Sequence, residues 1–146
     1  MTRGIVANYS FGDLTVGMAS NRRYEFTEKR VEAFSALVDD AAPVHMSVEF
    51  ARQQGFEGRI VHGLLVQSVI SGILGNEIPG PNSVINNLSM KMHRPVLIGQ
   101  EVDYRVEITA LTAAVAAVSL MFSGTVDGTT VISGKVLCSF PQPGSK

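Results

Sequence analysis

The sequence has a single cysteine, few charged residues and no long apolar run, and each scarcity excludes a class of protein. Cys138 cannot form an intramolecular disulfide, which favours a reducing compartment and a role as a small hydrophobe in a strand. Charged residues make up 17%, with a net charge of −1 and no basic run, which argues against nucleic-acid binding. No apolar stretch reaches the roughly 20 residues that span a bilayer, and the N-terminal MTRGIVANYS lacks the apolar region of a secretory signal. We therefore expect a cytoplasmic protein without a membrane partner.

What is present is the composition of a globular protein. The 146 residues are 45% apolar, which suits one domain with one core. We expect this domain to cover residues 1–146, with an irregular N-terminal segment at 1–19 and a polar tail at 141–146.

The first half of the chain has helical patterns. Thr27 is a candidate N-cap for a helix that ends near Asp39, and its predicted apolar face consists of Val31, Phe34, Leu37 and Val38. A short helix is predicted from Ser47 to Gln53. The run from Ile60 to Leu74 is apolar on every side, which predicts a central helix wrapped by protein.

The second half has strand patterns. After Pro79-Gly80-Pro81 the apolar period changes to two, and Asp127-Gly128 is a strong hairpin signal. The predicted strands are Asn21–Phe26, one from Asn82 with Val84, Asn86, Leu88, Met90 and Met92 on one side, Val102–Ile108, Ala113–Val126 and Thr129–Phe140. The fold class is therefore α+β, with a curved antiparallel sheet around a buried helix. Five short strands cannot enclose that helix, so we expect a homodimer or a higher homo-oligomer.

Two side chains precede the central helix and can act on a proton. Asp40 and His45 are five residues apart with Pro43 between them, so we expect a rigid loop rather than a shared helical face. An acid and an imidazole can hold and activate one water. Gly63 begins the apolar run, and the free N–H groups at a helix start stabilise a developing negative charge.

The chain resembles the MaoC-like (R)-specific enoyl-CoA hydratases between about Phe26 and Gly99. The resemblance is carried by three motifs in order: Asp-x-x-Pro-x-His, Gly-Phe-x-x-Arg-Ile-Val-His-Gly-Leu-Leu and Ser-Gly-x-Leu-Gly. It implies the hot-dog fold, in which a curved sheet wraps one long helix and two sheets join edge to edge in a dimer. It also implies reversible hydration of 2-enoyl thioesters carried by coenzyme A or acyl-carrier protein, with no metal or other cofactor.

The resemblance also implies the roles of particular residues. Asp40 and His45 are the catalytic pair, and the N–H of Gly63 polarises the thioester carbonyl. The substrate-binding positions are His62, Ser71 and Leu74. The family usually has Asn where this chain has Ala42, so a side chain that would orient the loop or the water is missing.

Simpler interpretations stand beside these roles. His62 fits a structural histidine bonded to a backbone carbonyl, His93 a structural residue of a strand, and Asp39 an exposed rival of Asp40. Ser68 and Ser71 fit helix packing, and Met90 and Met92 fit core or pocket-wall positions. Arg59, Lys91 and Arg94 could meet the phosphates of coenzyme A, but a surface role is the default. No metal-ligand spacing accompanies the three histidines.

Two other functions stay open: a thioesterase, and a non-catalytic acyl-thioester-binding protein.

Overall fold

The computed structural model of the protein describes residues 6–142 and 144. The irregular segment predicted at 1–19 contains a 3₁₀ turn at Phe11–Asp13, while residues 1–5, and 143, 145 and 146 of the predicted tail, lie outside the described residues. The elements in chain order are β1 (Ala19–Glu25), α1 (Glu28–Val38), α2 (Pro43–Met46), α3 (Val48–Gln53), α4 (Gly63–Asn76), β2 (Val84–Met92), β3 (Glu101–Thr112), β4 (Ala117–Val126) and β5 (Thr129–Ser139).

The five strands form one antiparallel sheet in the order β1-β3-β4-β5-β2. β3 alternates as predicted, and its inward side chains are buried: Val102, Tyr104, Val106 and Ile108. The hairpin between β4 and β5 turns at Asp127 and Gly128, which both have positive φ. Cys138 is fully buried in β5, and burial raises the pKa of its thiol to about 11.

Helix α1 begins and ends where its caps predict. The Thr27 side chain accepts a hydrogen bond from the Arg30 N–H, and Asp39 adopts a left-handed conformation that ends the helix. The predicted apolar face is only half correct. Val31 is buried, but Leu37 is 80% exposed and Val38 is 48% exposed, because the last turn of α1 extends beyond the core of the single chain.

Helix α4 is the central helix, and it contacts β1, β2 and β3. The Tyr104 hydroxyl donates to the Val66 carbonyl at 2.7 Å and so ties β3 to the middle of α4. Burial raises the pKa of that hydroxyl. The prediction of a helix wrapped on every side is wrong for the single chain, in which Leu64 is 64% exposed. Among residues 6–142 and 144, no helix has the length and hydrophobicity needed to cross a bilayer.

Two strand predictions need correction. A bulge between Ile85 and Asn87 interrupts the alternation of β2, so Val84 and its neighbours are exposed, whereas Leu88, Met90 and Met92 pack against the core. The predicted strand Ala113–Val126 begins only at Ala117. Residues Ala113–Val115 form a 3₁₀ turn, which ends at Ala116 in a left-handed conformation.

Candidate active site

Asp40 lies in the turn that follows α1, and its backbone is held from two sides. The Asp40 carbonyl oxygen accepts hydrogen bonds from the Ser35 hydroxyl at 2.6 Å and from His62 Nε2 at 3.0 Å. The Asp40 N–H donates to the Ser35 carbonyl at 3.0 Å. Asp39, the rival acid, is exposed as predicted. The neighbouring acid is therefore turned to solvent while Asp40 is fixed.

The Asp40 carboxylate is oriented by the backbone of the next turn. Its Oδ1 accepts a hydrogen bond from the Ala42 N–H at 3.1 Å, while Oδ2 lies 3.9 Å from His62 Nε2. The Asp40 side chain is 47% exposed, so its free oxygen is accessible. Because the orienting donor is a main-chain group, this hydrogen bond does not need a polar side chain at Ala42.

His45 lies in the short helix α2 rather than in the rigid loop predicted for the pair. Pro43 occupies the first turn of α2, where its fixed φ favours a helix and its missing N–H costs nothing. His45 Nδ1 lies 2.8 Å from the Ile60 carbonyl oxygen. A carbonyl can only accept, so Nδ1 carries the proton and Nε2 of the neutral ring keeps its lone pair. His45 is therefore held in the tautomer that a general base needs.

The His62 ring lies under the His45 ring. The two rings stack with centroids 3.8 Å apart, and Phe34 meets His62 edge-on at 5.1 Å. His62 is 2% exposed, and its bond to the Asp40 carbonyl confirms the predicted structural role. Its Nδ1 is buried and has no hydrogen-bond partner among the described residues. Direct contact between His62 and a substrate stays a prediction.

The three side chains of this cluster come within reach of one water. Asp40, His45 and His62 each offer a nitrogen or oxygen atom, and these atoms all lie within 4.8 Å of one another. A water bonded to two groups spans about that distance, since each hydrogen bond is about 2.8 Å long. The same atoms are a poor metal site. The planes of the two stacked rings are 28° from parallel, so the in-plane lone pairs of their nitrogens do not converge on one ion. The geometry favours a shared water.

Gly63 is the first residue of α4, so its N–H has no acceptor within the helix. His62 precedes it as N-cap but makes no side-chain capping bond. A Cβ built on Gly63 would lie 3.7 Å from Met92 Cγ, which places Met92 beside the helix start. The uncapped N-terminus of α4 is thus available to a negatively charged group.

The other predicted substrate positions lie farther along α4. Leu74 is 1% exposed and Ser71 is exposed, and both line a surface pocket of about 250 Å³ with residues of β2 that includes neither Asp40 nor His45. Ser68 is also exposed, and its hydroxyl bonds to the Leu65 carbonyl. The structure does not bring Ser71 and Leu74 to the acid–base cluster, and their substrate role stays a prediction.

The remaining candidates are one histidine and three cations, and they differ in exposure. His93 is exposed and bonds to the Ser133 hydroxyl at 2.7 Å, a partner that the sequence did not indicate. Lys91 and Arg94 are exposed, as the default reading of surface cations requires. Arg59 does not follow that default, since its side chain is only 11% exposed and pairs with Glu28.

Sequence reasoning missed Ser35 and the structural use of Arg59. The first is a buried hydroxyl on α1, and the second donates to the His45 carbonyl. A serine within an apolar helical face was the one available signal for Ser35. For Arg59 the signal was its place directly before the apolar run.

Comparison with known proteins identifies the family of the chain. Residues 15–127 match the family described as "MaoC like domain". The chain is 41% identical over 98 residues to the (R)-specific enoyl-CoA hydratase of Aeromonas caviae, which covers 67% of this chain and 73% of the relative. It is 32% identical over 132 residues to the 3-hydroxybutyryl-CoA dehydratase of Methylorubrum extorquens, which covers 90% of this chain and 84% of the relative.

A solved structure supports the same assignment. The (R)-hydratase from A. caviae involved in PHA biosynthesis superposes with a TM-score of 0.85 at 34% identity, covering 88% of this chain and 98% of that one. The curved five-stranded antiparallel sheet around α4 is the hot-dog fold of these neighbours. The chain therefore belongs to the family of MaoC-like domains.

Proposed function

We propose that this protein is a hydro-lyase that adds water to 2-enoyl thioesters and, in reverse, dehydrates (R)-3-hydroxyacyl thioesters. Relatives named as hydratase and dehydratase, at 41% and 32% identity, support this class of reaction. The observation that carries the proposal is the convergence of Asp40 and His45 within the reach of one water.

The residues divide the work of hydration. Asp40 and the free Nε2 of His45 hold the water and accept a proton as the water oxygen bonds to C3 of the substrate. The π electrons of the double bond move through C2 to the thioester oxygen, where the Gly63 N–H stabilises the charge. The proton held by the acid–base pair is then delivered to C2, so water has added across the double bond. This sequence requires no metal or redox cofactor.

The substrate arrives as a thioester of coenzyme A or acyl-carrier protein. Lys91 and Arg94 are exposed cations at the C-terminal end of β2, which lies beside the N-terminus of α4. We propose them as contacts for the phosphates of the carrier. Arg59 is not part of this set because its side chain is only 11% exposed and its Nη1 pairs with Glu28. The single cysteine, Cys138, cannot form an intramolecular disulfide, which supports a reducing, cytoplasmic setting.

We also propose that two copies of the chain associate. The single chain leaves the Asp40 carboxylate open to solvent, and Leu64 is 64% exposed directly after Gly63. β2 is an edge strand whose exposed residues Val84 and Ile85 offer apolar side chains and unpaired backbone groups. A homodimer would cover these surfaces. Sedimentation equilibrium should give twice the mass of the chain, and a monomer at micromolar concentration contradicts the dimer.

The experiment for the reaction follows the loss of crotonyl-CoA absorbance at the enoyl-thioester band. Asp40→Asn and His45→Gln should each lower the rate by at least about a hundredfold, since each removes a proton-transfer group. Matched controls are Asp39→Asn and His93→Gln, which change an exposed acid and an exposed histidine and should keep wild-type rates. Full activity in either site variant removes the assigned mechanism. Release of free thiol in place of hydration identifies a thioesterase, and tight binding without turnover identifies a binding protein.

A further inference from the structure

Arg59 is a partly buried cation next to the acid–base cluster with no direct part in the proposed proton transfer. Its side chain is 11% exposed. Nη1 lies 2.5 Å from Glu28 Oε1, and Nη2 lies 4.0 Å from Glu32 Oε1, both on α1. Its Nε donates to the His45 carbonyl oxygen at 2.6 Å. One guanidinium therefore joins α1 to the backbone of the proposed general base.

The residue after Arg59 holds the same turn by two more hydrogen bonds. The Ile60 N–H donates to the Val44 carbonyl at 3.2 Å, and the Ile60 carbonyl accepts from His45 Nδ1 at 2.8 Å. Residues 59 and 60 thus make three hydrogen bonds to residues 44 and 45. They fix the backbone of His45 and the tilt of its ring together.

This pair of residues is itself anchored to the segment before β3. The Arg59 carbonyl accepts from the Ile98 N–H at 3.1 Å, and Ile60 forms an isolated bridge with Leu97. The Val61 N–H donates to the Val96 carbonyl at 2.7 Å. The three hydrogen bonds from residues 59 and 60 to residues 44 and 45 form a clamp on His45. Because residues 59–61 are bonded to the segment before β3, this clamp is part of the folded framework and not of a free loop.

We propose that Arg59 is a positioning residue for hydration, which sets His45 Nε2 toward the water shared with Asp40. The role rests on the function proposed above. Arginine suits it because its planar fork donates to a carbonyl and a carboxylate at once, which a lysine ammonium on a flexible stem cannot reproduce with the same geometry. A general base displaced by about 1 Å loses on the order of a hundredfold in rate.

The first test separates positioning from a phosphate contact. Arg59→Met should lower kcat by roughly ten- to a hundredfold, because misplacing the base slows the chemical step, and should leave KM unchanged. The loss should be equal with crotonyl-CoA and with crotonyl-pantetheine, which lacks the nucleotide. A raised KM for crotonyl-CoA alone would assign Arg59 to the carrier phosphates and overturn the proposal, as would wild-type kinetics with both substrates.

Three further variants keep the test decisive. Arg59→Lys keeps the charge near Glu28 but loses the Nε donor, so most of the kcat loss should remain. Glu28→Gln changes a side chain that is 65% exposed and should fold normally. It should lower kcat by only a fewfold without changing KM, because Arg59 loses an anchor but keeps its bond to His45. Arg52→Met removes an exposed arginine of α3 and should change nothing.

A spectroscopic measurement reads the clamp without turnover. In ¹⁵N-labelled protein the His45 Nδ1–H, bonded to the Ile60 carbonyl, should give a ring N–H signal protected from exchange and absent in His45→Gln. Arg59→Met should broaden or shift that signal and leave the His93 ring signals unchanged. An unchanged His45 signal overturns the positioning role. If the wild-type protein shows no hydratase activity, the proposed function fails, and this signal still reports whether Arg59 fixes His45.

Discussion

Replacing Gly63 with proline removes one backbone N–H from the start of α4 at little structural cost. Gly63 is the first helical residue, the position where proline is most readily accepted. His62 before it has φ −54° and ψ 129°, the extended backbone that a following proline favours. The Gly63 N–H has no intrahelical acceptor, so the fold loses no helical hydrogen bond. We expect the free energy of unfolding to stay within about 1 kcal/mol of wild type.

The chemical cost should be much larger. An oxyanion donor acts mainly on the charge that develops in the transition state, so its loss lowers kcat more than it raises KM. Removing one such donor typically costs about 10²–10³ in kcat, or about 2.7–4 kcal/mol. The assay is initial-rate hydration of crotonyl-CoA, with urea unfolding of the same preparation as the stability measurement.

Gly63→Ala is the matched control because it keeps the N–H. Its Cβ would meet only Met92 Cγ, at an ordinary contact distance of 3.7 Å, so the fold should accept it. We expect its kcat to fall by less than about tenfold, since the donor is still in place. A folded Gly63→Pro enzyme whose kcat stays as high as that of the alanine variant would refute the assignment of Gly63 as the oxyanion donor.

Two predictions concern the sheet. Gly134→Ala places a Cβ on the Ser89 carbonyl oxygen and the Phe122 ring, and should lower the free energy of unfolding by at least about 2 kcal/mol. The control variant Gly12→Ala adds a Cβ that meets no atom closer than 4.0 Å, and it should change stability little. Equal urea midpoints for the two variants would contradict the packing of β5 against β2 and β4. Cys138, fully buried with a thiol pKa raised to about 11, should not react with a thiol reagent at pH 8 until the protein is unfolded. The unfolded thiol ionises near its ordinary pKa of 9.0, whereas the folded thiol stays protonated to about pH 11. The contribution of the protonated thiol to the free energy of unfolding is therefore complete below pH 9 and lost as the pH rises to 11. Urea titrations at several pH values should show this loss in the wild type and not in Cys138→Val.

The order of helices and strands could be predicted because two periods divide the sequence. Alternation in β3 and the Asp127-Gly128 turn are local signals, and both are confirmed. The bulge in β2 and the late start of β4 at Ala117 were missed. An alanine-rich stretch has no alternation from which a strand boundary could be read, and a bulge depends on the partner strand.

Burial at the helix ends was less predictable. Leu37 and Leu64 continue apolar patterns that include buried residues such as Val31 and Leu65, yet both are exposed in the single chain. Periodicity identifies the side of a helix that favours contact, but it does not tell whether the contact is made within the chain or with a second copy.

Predicting the candidate site required only a short stretch of sequence, whereas its support comes from distant residues. Asp40 and His45 were identified as a pair, and the structure brings their side chains together. Some of the contacts that fix them join residues 14 to 22 positions apart, such as Arg59 to His45 and His62 to Asp40. Several of these contacts use carbonyl acceptors, which every residue has, so no pattern of residue types marks them.

The length of α4 separates two properties of the proposed enzyme. The acid–base pair lies at the N-terminal end of the helix, whereas Ser71 and Leu74 lie two to three turns away, about 12–16 Å along its axis. Mutations at that distal end can accumulate without disturbing the proton-transferring groups. The substrate role predicted for Ser71 and Leu74 would let selection change the substrate at that end while conserving the reaction, and directed evolution toward new substrates should begin there.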